Sequence, residues 1–419
     1  MKNFEQIIGY EDIKLELARV LDTIKHQEKY NAIGAKTPTG ILLYGKPGIG
    51  KTMFSNAFLK ASERPYFVCR KDKPNGEFVK AIKDVFDKAM EAAPSIVLLD
   101  DMDKFANEDY NSRDAEEYVT VQSCIDTIKA EEKDVFIFAT ANDFRKLPNS
   151  LVRAGRFDKV IEMGVPNVKD AAKIIKHYLS TKETVDDLDC DELAHILEGN
   201  SCAELESVIN EAGIYAAFDG KEKIGKDDII RAIMRLIFDA PESVEPANKD
   251  AERSIAVHEA GHAVATEILE PGSVNLVSIN RHAGNTGGIT SSSLSEDYWY
   301  SIKHMENRVV TILAGKAATE IKFGVVDVGS NSDMHRAFDM VERFVDHYCG
   351  FGFDKFTRND SSPTLLEKKE TYIHSELDRY YKMAKQILVE NIGLLDRLTE
   401  ELVSKKTITA SDIAKMKSA

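Results

Sequence analysis

The spacing of apolar and polar residues changes twice along the chain. Over the first 160 or so residues, strand patterns at 41–44, 95–103 and 135–142, each with a short apolar run, alternate with amphipathic helical stretches, the first of them over 11–25. This alternation predicts a parallel β-sheet with connecting helices. From Pro166 to about residue 240 the period is helical throughout, so a helical subdomain is expected there.

The last part of the chain is mostly helical as well, with one interruption. Two short strand patterns at 275–280 and 288–293 flank a turn rich in Gly and Asn, and long helical patterns follow up to the C-terminus. The stretch 239–250 has two prolines and alternating charges, typical of a linker. We therefore predict four segments: 1–163 (α/β), 164–240 (helical), 241–250 (linker) and 251–419 (mostly helical).

Composition narrows the class of protein. A chain of 419 residues that is 43% hydrophobic and 30% charged is expected to form two or three globular domains. A net charge of −15 argues against a nucleic-acid surface. No apolar run reaches the roughly 18–20 residues of a membrane span, the N-terminus lacks a signal core, and the five cysteines form no CxxC pair. These features favour a soluble protein of a reducing, cytoplasmic compartment.

The helical pattern over 254–270 contains the motif HEAGH. His258 and His262 are four residues apart, so their imidazoles project from one face of the helix and can reach one metal ion. Glu259 lies beside the first histidine, where a carboxylate can take a proton from water. The alternative is that the three residues fall together by chance, because a five-residue pattern alone is weak evidence.

A catalytic zinc site needs a third protein ligand, and residue chemistry alone leaves that ligand open. The candidates are His282, His304, Asp327, Asp333 and His335.

A glycine-rich loop follows the first predicted strand and precedes a helix. It reads GKPGIGKT and comprises Gly45, Lys46, Pro47, Gly48, Ile49, Gly50, Lys51 and Thr52. In this strand–loop–helix context the pattern predicts a phosphate cradle of backbone N–H groups, with the lysine on the β- and γ-phosphates and the threonine hydroxyl on Mg²⁺.

Polar residues end the next two predicted strands. Asp100 and Asp101 lie at the end of one, where the first carboxylate can orient Mg²⁺ through water and the second can polarise an attacking water; taken alone, the pair is better explained as solvated acids at a strand end. Asn142 ends the other strand. Arg153 and Arg156 flank a glycine in LVRAGRFD, as a solvated loop or as arginines that reach a neighbouring subunit's nucleotide.

The order and spacing of these motifs resemble the AAA+ ATPase module, and together with HEAGH they resemble the FtsH family of ATP-dependent zinc proteases over nearly the whole chain. The resemblance implies a multidomain fold: a P-loop AAA+ module with a small helical lid, then a mostly helical zinc peptidase domain. It also implies a homo-hexamer, zinc, ATP with Mg²⁺, and protein or peptide substrates.

The resemblance assigns roles to further residues. Asn142 matches the family's sensor, Arg153 and Arg156 its arginine fingers, and Asp333, in VGSNSDMHRA, the third zinc ligand. Ile8, Gly9 and His177 match residues near the adenine, and Glu320 matches a glutamate near the zinc that can hold a ligand imidazole or lie on a charged helix face. The strand over 288–293 matches one at the cleft edge, where a peptide can pair by its backbone.

Two departures concern the motor. The family usually has Asp-Glu where this chain has Asp100-Asp101, so the second carboxylate is one methylene shorter. The substrate-gripping loop falls over 71–80, where the sequence is polar and short; Phe78 is its one aromatic residue, unless it belongs to the following helix.

These observations lead to three hypotheses. The first is an ATP-dependent zinc endopeptidase that translocates and degrades proteins. The second is a zinc peptidase whose ATPase ring is weak or mainly structural. The third is a chaperone-like AAA+ remodeller with a structural metal site. Since the family usually has membrane helices ahead of its AAA+ module, we expect a membrane-associated protein if an N-terminal anchor has been removed.

Overall fold

The computed structural model describes residues 4–72, 74–106, 115–153, 155–240, 248–281, 287–293, 301–325, 330–348 and 362–418. The chain divides into two units: Met1–Lys182 with Gly199–Ile209, and Glu183–Glu198 with Asn210–Ala419.

The first unit contains a parallel sheet with five strands in the order β2-β3-β4-β1-β5. The strands are β1 (Gly40–Tyr44), β2 (Tyr66–Arg70), β3 (Ser95–Asp100), β4 (Val135–Ala141) and β5 (Lys159–Glu162). Its helices are α1 (Glu11–Lys25), α2 (Gln27–Asn31), α3 (Lys51–Ser62), α4 (Asn75–Glu91), α5 (Glu116–Ala130) and α6 (Val168–Leu179). The predicted first helix and the predicted α/β class are confirmed.

Both faces of this sheet are covered, because successive residues of a strand point to opposite sides. One face packs on α4 and α5 through Leu42, Val97, Ile137, Phe86 and Ile125. The other packs on α1 and α3 through Ile41, Leu98, Phe138, Leu21 and Phe58. Double coverage is why β1, β3 and β4 read as continuous apolar runs rather than as alternating strands.

Two strands of this sheet were not predicted, and both lie at an edge. The outward residues of β2 and β5 are exposed, so neither strand carries the apolar run that marks the central ones. In a parallel sheet all carboxyl ends share one side, so the segments after β1, β3 and β4 come together there.

The second unit is mostly helical. Its helices are α7 (Cys190–Ile196), α9 (Lys226–Leu236), α10 (Lys249–Leu269), α11 (Ile302–Phe323), α12 (Asn331–Asp346), α13 (Pro363–Glu390), α14 (Ile392–Lys405) and α15 (Ala410–Ser418). Helix α8 (Cys202–Phe218) is divided between the two units. An antiparallel sheet of β6 (Val274–Arg281), β7 (Gly287–Ser292) and β8 (Thr407–Thr409) has the order β7-β6-β8, so β7 lies at the edge among the strands that the structure describes.

Helices α10 and α11 meet backbone to backbone. A Cβ atom on Gly261 would lie 2.5 Å from Ala318 Cβ and 2.6 Å from the carbonyl oxygen of Ala314, so only glycine permits this approach. Around the contact lies a core of buried apolar side chains that includes Val264, Leu313, Phe344, Leu395 and Leu398.

The two strands predicted after the HEAGH helix are present as β6 and β7, whereas β8 was not predicted. The sequence over 405–411 predicts only a turn and a helix start, yet Thr407, Ile408 and Thr409 pair with β6. A strand of three residues gives no periodic signal of its own.

Within the described ranges, no helix combines the length and apolarity needed to cross a membrane. The four described cysteines, Cys69, Cys124, Cys190 and Cys202, are free thiols, and Cys349 lies outside the described residues.

Candidate metal centre and nucleotide site

Three side chains of the second unit converge on one point. His258 and His262 extend from α10, and Asp333 extends from the first turn of α12. His258 Nε2 lies 3.0 Å from Asp333 Oδ2, His262 Nε2 lies 3.0 Å from His258 Nε2, and His262 Nε2 lies 3.3 Å from Asp333 Oδ2. His258 and Asp333 are buried, so the donor atoms are largely removed from water.

The triangle of donor atoms suits zinc. Three ligand atoms about 2.0–2.1 Å from a tetrahedral ion lie about 3.3 Å apart, close to the observed separations. Two imidazoles and a carboxylate are also ligands that zinc accepts, and they leave a fourth position open. In the part of the chain that the structure describes, no other group of three His, Cys, Asp or Glu side chains has such an arrangement.

The candidates for the third ligand differ in their distance from the two histidines. The structure brings Asp333 to both histidines, while His304 and His335 are not in the cluster. His282 and Asp327 lie outside the described residues. Burial by itself raises the pKa of the Asp333 carboxyl, but the two adjacent imidazoles hold that pKa below its ordinary value.

The backbone of α11 orients one imidazole. His262 Nδ1 lies 2.7 Å from the carbonyl oxygen of Thr311. Because a carbonyl only accepts hydrogen bonds, Nδ1 carries the proton and donates it, which leaves the Nε2 lone pair for a metal. No sequence pattern marks this contact, because any residue could supply the carbonyl.

Glu320 does not have the predicted role of holding an imidazole. Its carboxylate accepts hydrogen bonds from the Tyr381 hydroxyl and, at 2.7 Å, from Lys385 Nζ. The partner of His262 Nδ1 is the Thr311 carbonyl instead. Glu320 therefore belongs to a polar contact between α11 and α13, in accordance with the alternative of a charged helix face.

Glu259 is a buried carboxyl next to the histidines. Only 5% of the residue is exposed. Burial raises the pKa of its carboxyl above the ordinary value, although His262, His258 and a hydrogen bond from Thr290 act in the opposite direction. The Thr290 hydroxyl, on β7, lies 2.8 Å from Glu259 Oε2. A carboxylate whose pKa is raised is a stronger base than an exposed glutamate and is better suited to take a proton from water.

The glycine-rich loop of the first unit has the backbone of a phosphate cradle. Gly48 and Gly50 have φ values of +77° and +101°, in the region where a side chain would be strained. Lys51 begins α3, and its Nζ donates to the carbonyl oxygens of Gly45 and Lys46 at 2.7 and 2.8 Å. Ile49 is buried in the core beneath the loop. Lys46, Pro47 and Thr52 are exposed and open to a ligand.

The predicted polar groups at the carboxyl ends of β3 and β4 lie side by side. Asp100 Oδ1 accepts a hydrogen bond from the Thr140 hydroxyl at 2.7 Å, and its Oδ2 pairs with the Arg70 guanidinium. Asp101, in the left-handed region at φ 54°, is 3.3 Å from Asn142 Nδ2. The pairing with Arg70 was not predicted, since β2 was not recognised as a strand.

The residues matched to the adenine side of the nucleotide site, Ile8, Gly9 and His177, lie in two different environments. Gly9 has a φ of +72° and packs against Asp170 of α6, whose carboxylate accepts a hydrogen bond from the Tyr10 backbone N–H at 2.9 Å. Ile8 is half-buried beside them. His177 lies two turns further along α6, is exposed, and has Tyr178 as a ring neighbour.

Arg153 and Arg156 have different environments. Arg156 is bound within its own unit, with its guanidinium 2.8 Å from Asp126 Oδ2 and a further hydrogen bond to the Ser150 carbonyl oxygen. The side chain of Arg153 is exposed.

The position of Phe78 contradicts the prediction that this aromatic residue belongs to the substrate-gripping loop. Helix α4 begins at Asn75, so Phe78 lies in its first turn, fully buried with its ring 4.9 Å from that of Phe105. The apolar core holds this ring in place, and it cannot project from a loop toward a peptide.

Comparison with known proteins gives two family matches and a set of relatives that align with nearly the whole of this chain. Residues 41–165 match the ATPase family associated with various cellular activities (AAA), and residues 246–416 match peptidase family M41. The chain is 30% identical to the ATP-dependent zinc metalloprotease FtsH 2 of Thermoanaerobacter sp. (strain X514), covering 98% of this chain and 82% of that protein.

Other relatives are longer. The ATP-dependent zinc metalloprotease FtsH of Aster yellows witches'-broom phytoplasma is 30% identical, and the chloroplastic FTSH 1 of Arabidopsis thaliana is 28% identical. Each alignment covers 98% of this chain but only 63% and 62% of the relative, respectively.

Proposed function

This chain belongs to the FtsH family of ATP-dependent zinc metalloproteases, and from that membership we propose that His258, His262 and Asp333 hold its zinc ion. The cofactors are zinc and ATP with Mg²⁺. The observation that most directly supports the ligand assignment is the triangle of donor atoms 3.0–3.3 Å apart beside the buried Glu259.

The peptidase reaction needs a base and an acid at one place, and Glu259 fills both roles. When bound, zinc supplies Lewis acidity for activating water and polarising the scissile carbonyl. Glu259 removes a proton from the attacking water and then delivers it to the leaving amine. His262 is held in the metal-binding tautomer by the Thr311 carbonyl.

The substrate is a protein or peptide in extended conformation. Among the described strands, β7 pairs with β6 on one side only and lies at the edge of its sheet, the position at which an extended peptide can add as a further strand. Recognition through backbone hydrogen bonds depends little on the side chains of the substrate, which suits an enzyme that degrades many proteins.

The ATPase module works in a homo-hexameric ring. Lys51 contacts the β- and γ-phosphates, Thr52 and Asp100 serve Mg²⁺, and Asp101 with Asn142 holds the attacking water. Of the two arginines, the exposed Arg153 reaches a neighbour's nucleotide more readily than Arg156, which is paired with Asp126. The functional domains follow the boundaries 1–163, 164–240, 241–250 and 251–419.

A second candidate function is a peptidase with a weak ATPase ring. Two observations favour it: the buried Phe78 provides no grip on a peptide, and both acids after β3 are paired with cations, Asp100 with Arg70 and Asp101 with Lys104. Under this alternative, unfolded proteins are cut but stably folded ones resist.

The experiment compares casein with a stably folded fluorescent protein carrying an unfolded tail, each with and without ATP. We expect Glu259→Gln to lower cleavage of both by about 100-fold or more. Glu252→Gln, on the same helix and paired with Lys406, is the matched control and should cleave normally. Unchanged cleavage by Glu259→Gln would refute the proposed centre. Degradation of casein alone, unaffected by Lys51→Ala, would support the weak-ring alternative.

A further inference from the structure

Strand β7 touches Glu259 at two neighbouring residues. A Cβ atom on Gly288 would lie 2.5 Å from both Cγ and Oε1 of Glu259, so the strand backbone lies directly against the carboxylate. The Thr290 hydroxyl lies 2.8 Å from Glu259 Oε2 and 3.2 Å from the Glu259 carbonyl oxygen. The base is therefore in contact with the strand at which a peptide is expected to pair.

The hydroxyl of Thr290 has one proton for these two acceptors. The shorter separation and the charge of a carboxylate both favour donation to Oε2, because hydrogen bonds to ionised groups are shorter and stronger than neutral ones. Such a bond fixes the rotation of the carboxylate about its last torsion, which is otherwise broad.

The position of Thr290 is itself fixed by the sheet. Thr290 pairs with Val277 of β6, and Val277 in turn pairs with Ile408 of β8. Val277 and Ile408 are both fully buried in the core. A donor placed on a paired strand is held more accurately than one on a loop.

We propose that Thr290 is a positioning residue for the peptidase reaction: its hydroxyl holds the Glu259 carboxylate in the orientation that transfers the proton. This rests on the proposed function of Glu259 as the base. Without the hydroxyl, the carboxylate remains in place but samples other rotations, so proton transfer slows while peptide binding and zinc binding persist.

The test uses three variants of the full chain, with casein as the substrate. Thr290→Val removes only the hydroxyl and keeps the shape and strand preference of the residue. Thr290→Ser restores the hydroxyl without the methyl. Thr399→Val removes the hydroxyl of another buried threonine, in α14, where it donates to the Leu395 carbonyl oxygen, and so controls for the loss of a buried hydroxyl as such.

We expect Thr290→Val to lower kcat by about 10- to 100-fold, with KM within about twofold of wild type, because a small misplacement of a catalytic group has effects of this size. Thr290→Ser should recover most of the rate, and Thr399→Val should behave as wild type. Zinc per subunit should stay at the wild-type level in all three. A fluorescein-labelled casein peptide should bind Glu259→Gln equally well with and without Thr290→Val.

Each contrary outcome overturns a specific claim. If the wild type cleaves, Glu259→Gln does not, and Thr290→Val retains the wild-type kcat, the positioning role is wrong while the proposed function stands. If Thr290→Val loses zinc or peptide binding in proportion to its rate, Thr290 is structural. If the wild type fails to cleave casein, the proposed function fails and this role with it.

Discussion

Replacing Gly315 by alanine places a methyl group against the proposed metal ligands. A Cβ atom on Gly315 would lie 2.5 Å from His262 Nε2, 2.6 Å from His258 Nε2 and 2.7 Å from His258 Cε1. These are the nitrogen atoms proposed to bind zinc. The glycine in the middle of α11 is thus explained by the space that the two imidazoles need.

The size of the effect follows from these distances. Real Cβ atoms essentially never come closer than 3.0 Å to another heavy atom, and ordinary contacts begin at 3.4 Å, so each imidazole must move by about 0.4–0.9 Å. Zinc tolerates deviations of about 0.2 Å in its ligand distances, and both nitrogens would exceed this limit. We expect zinc affinity to fall by about 100-fold, or about 3 kcal/mol.

Stability without metal should change much less. The crowded atoms are the ends of two side chains that can rotate, and alanine is the better helix former by up to about 1 kcal/mol. Zinc affinity is measured by competition with a coloured chelator, and unfolding by urea in the presence of a chelator. Gly393→Ala, also in a helix but with its nearest neighbour 3.7 Å away, is the matched control and should bind zinc normally. Wild-type zinc affinity in Gly315→Ala would refute the placement of α11 against this centre.

Two further predictions concern charged groups. Arg70→Ala removes the cation paired with Asp100, so Mg²⁺ meets less competition at that carboxylate. Half-maximal binding of a fluorescent ATP analogue should then need about two- to fivefold less Mg²⁺. An unchanged Mg²⁺ dependence would contradict the pairing. Burial by itself raises the pKa of Glu192, but hydrogen bonds from Lys226, Thr409 and Ser411 hold that pKa below its ordinary value. This carboxylate therefore stabilises the fold above its unfolded pKa of about 4.3 and stops doing so as pH falls through the lowered value. The difference in urea stability between wild type and Glu192→Gln should accordingly be largest near pH 7 and shrink below about pH 4, whereas a constant difference would contradict the lowered pKa.

The sequence predicted those parts of the site that are local in the chain. The HEAGH helix and the glycine-rich loop each combine chemistry and periodicity within about 15 residues, and α10 and the β1–α3 turn follow them. The proposed third metal ligand is different. Asp333 is separated from His262 by 333 − 262 = 71 residues, and nothing in its own surroundings distinguishes it from His304 or His335 as a donor. Only the family resemblance singled it out before the fold brought it to the histidines.

The unpredicted contacts depend on tertiary packing. The Thr311 carbonyl, the Gly315 backbone and the Thr290 hydroxyl act through their location and not through a residue type that marks chemistry. Phe78 shows the opposite error: an aromatic residue in a polar segment suggested a function, while its position in the first turn of α4 makes it a core residue.

The contact at Gly261 has a consequence for what the motif HEAGH encodes. Two of its residues are the proposed ligands and one is the proposed base, but its glycine determines how close a second helix can come. That second helix supplies the carbonyl for His262 and the empty space beside both imidazoles. The five letters thus carry information about a tertiary neighbour some 50 residues away, as well as about local chemistry. A search that demands the glycine selects pairs of helices in contact, and so discriminates better than one that demands only the histidines and the glutamate.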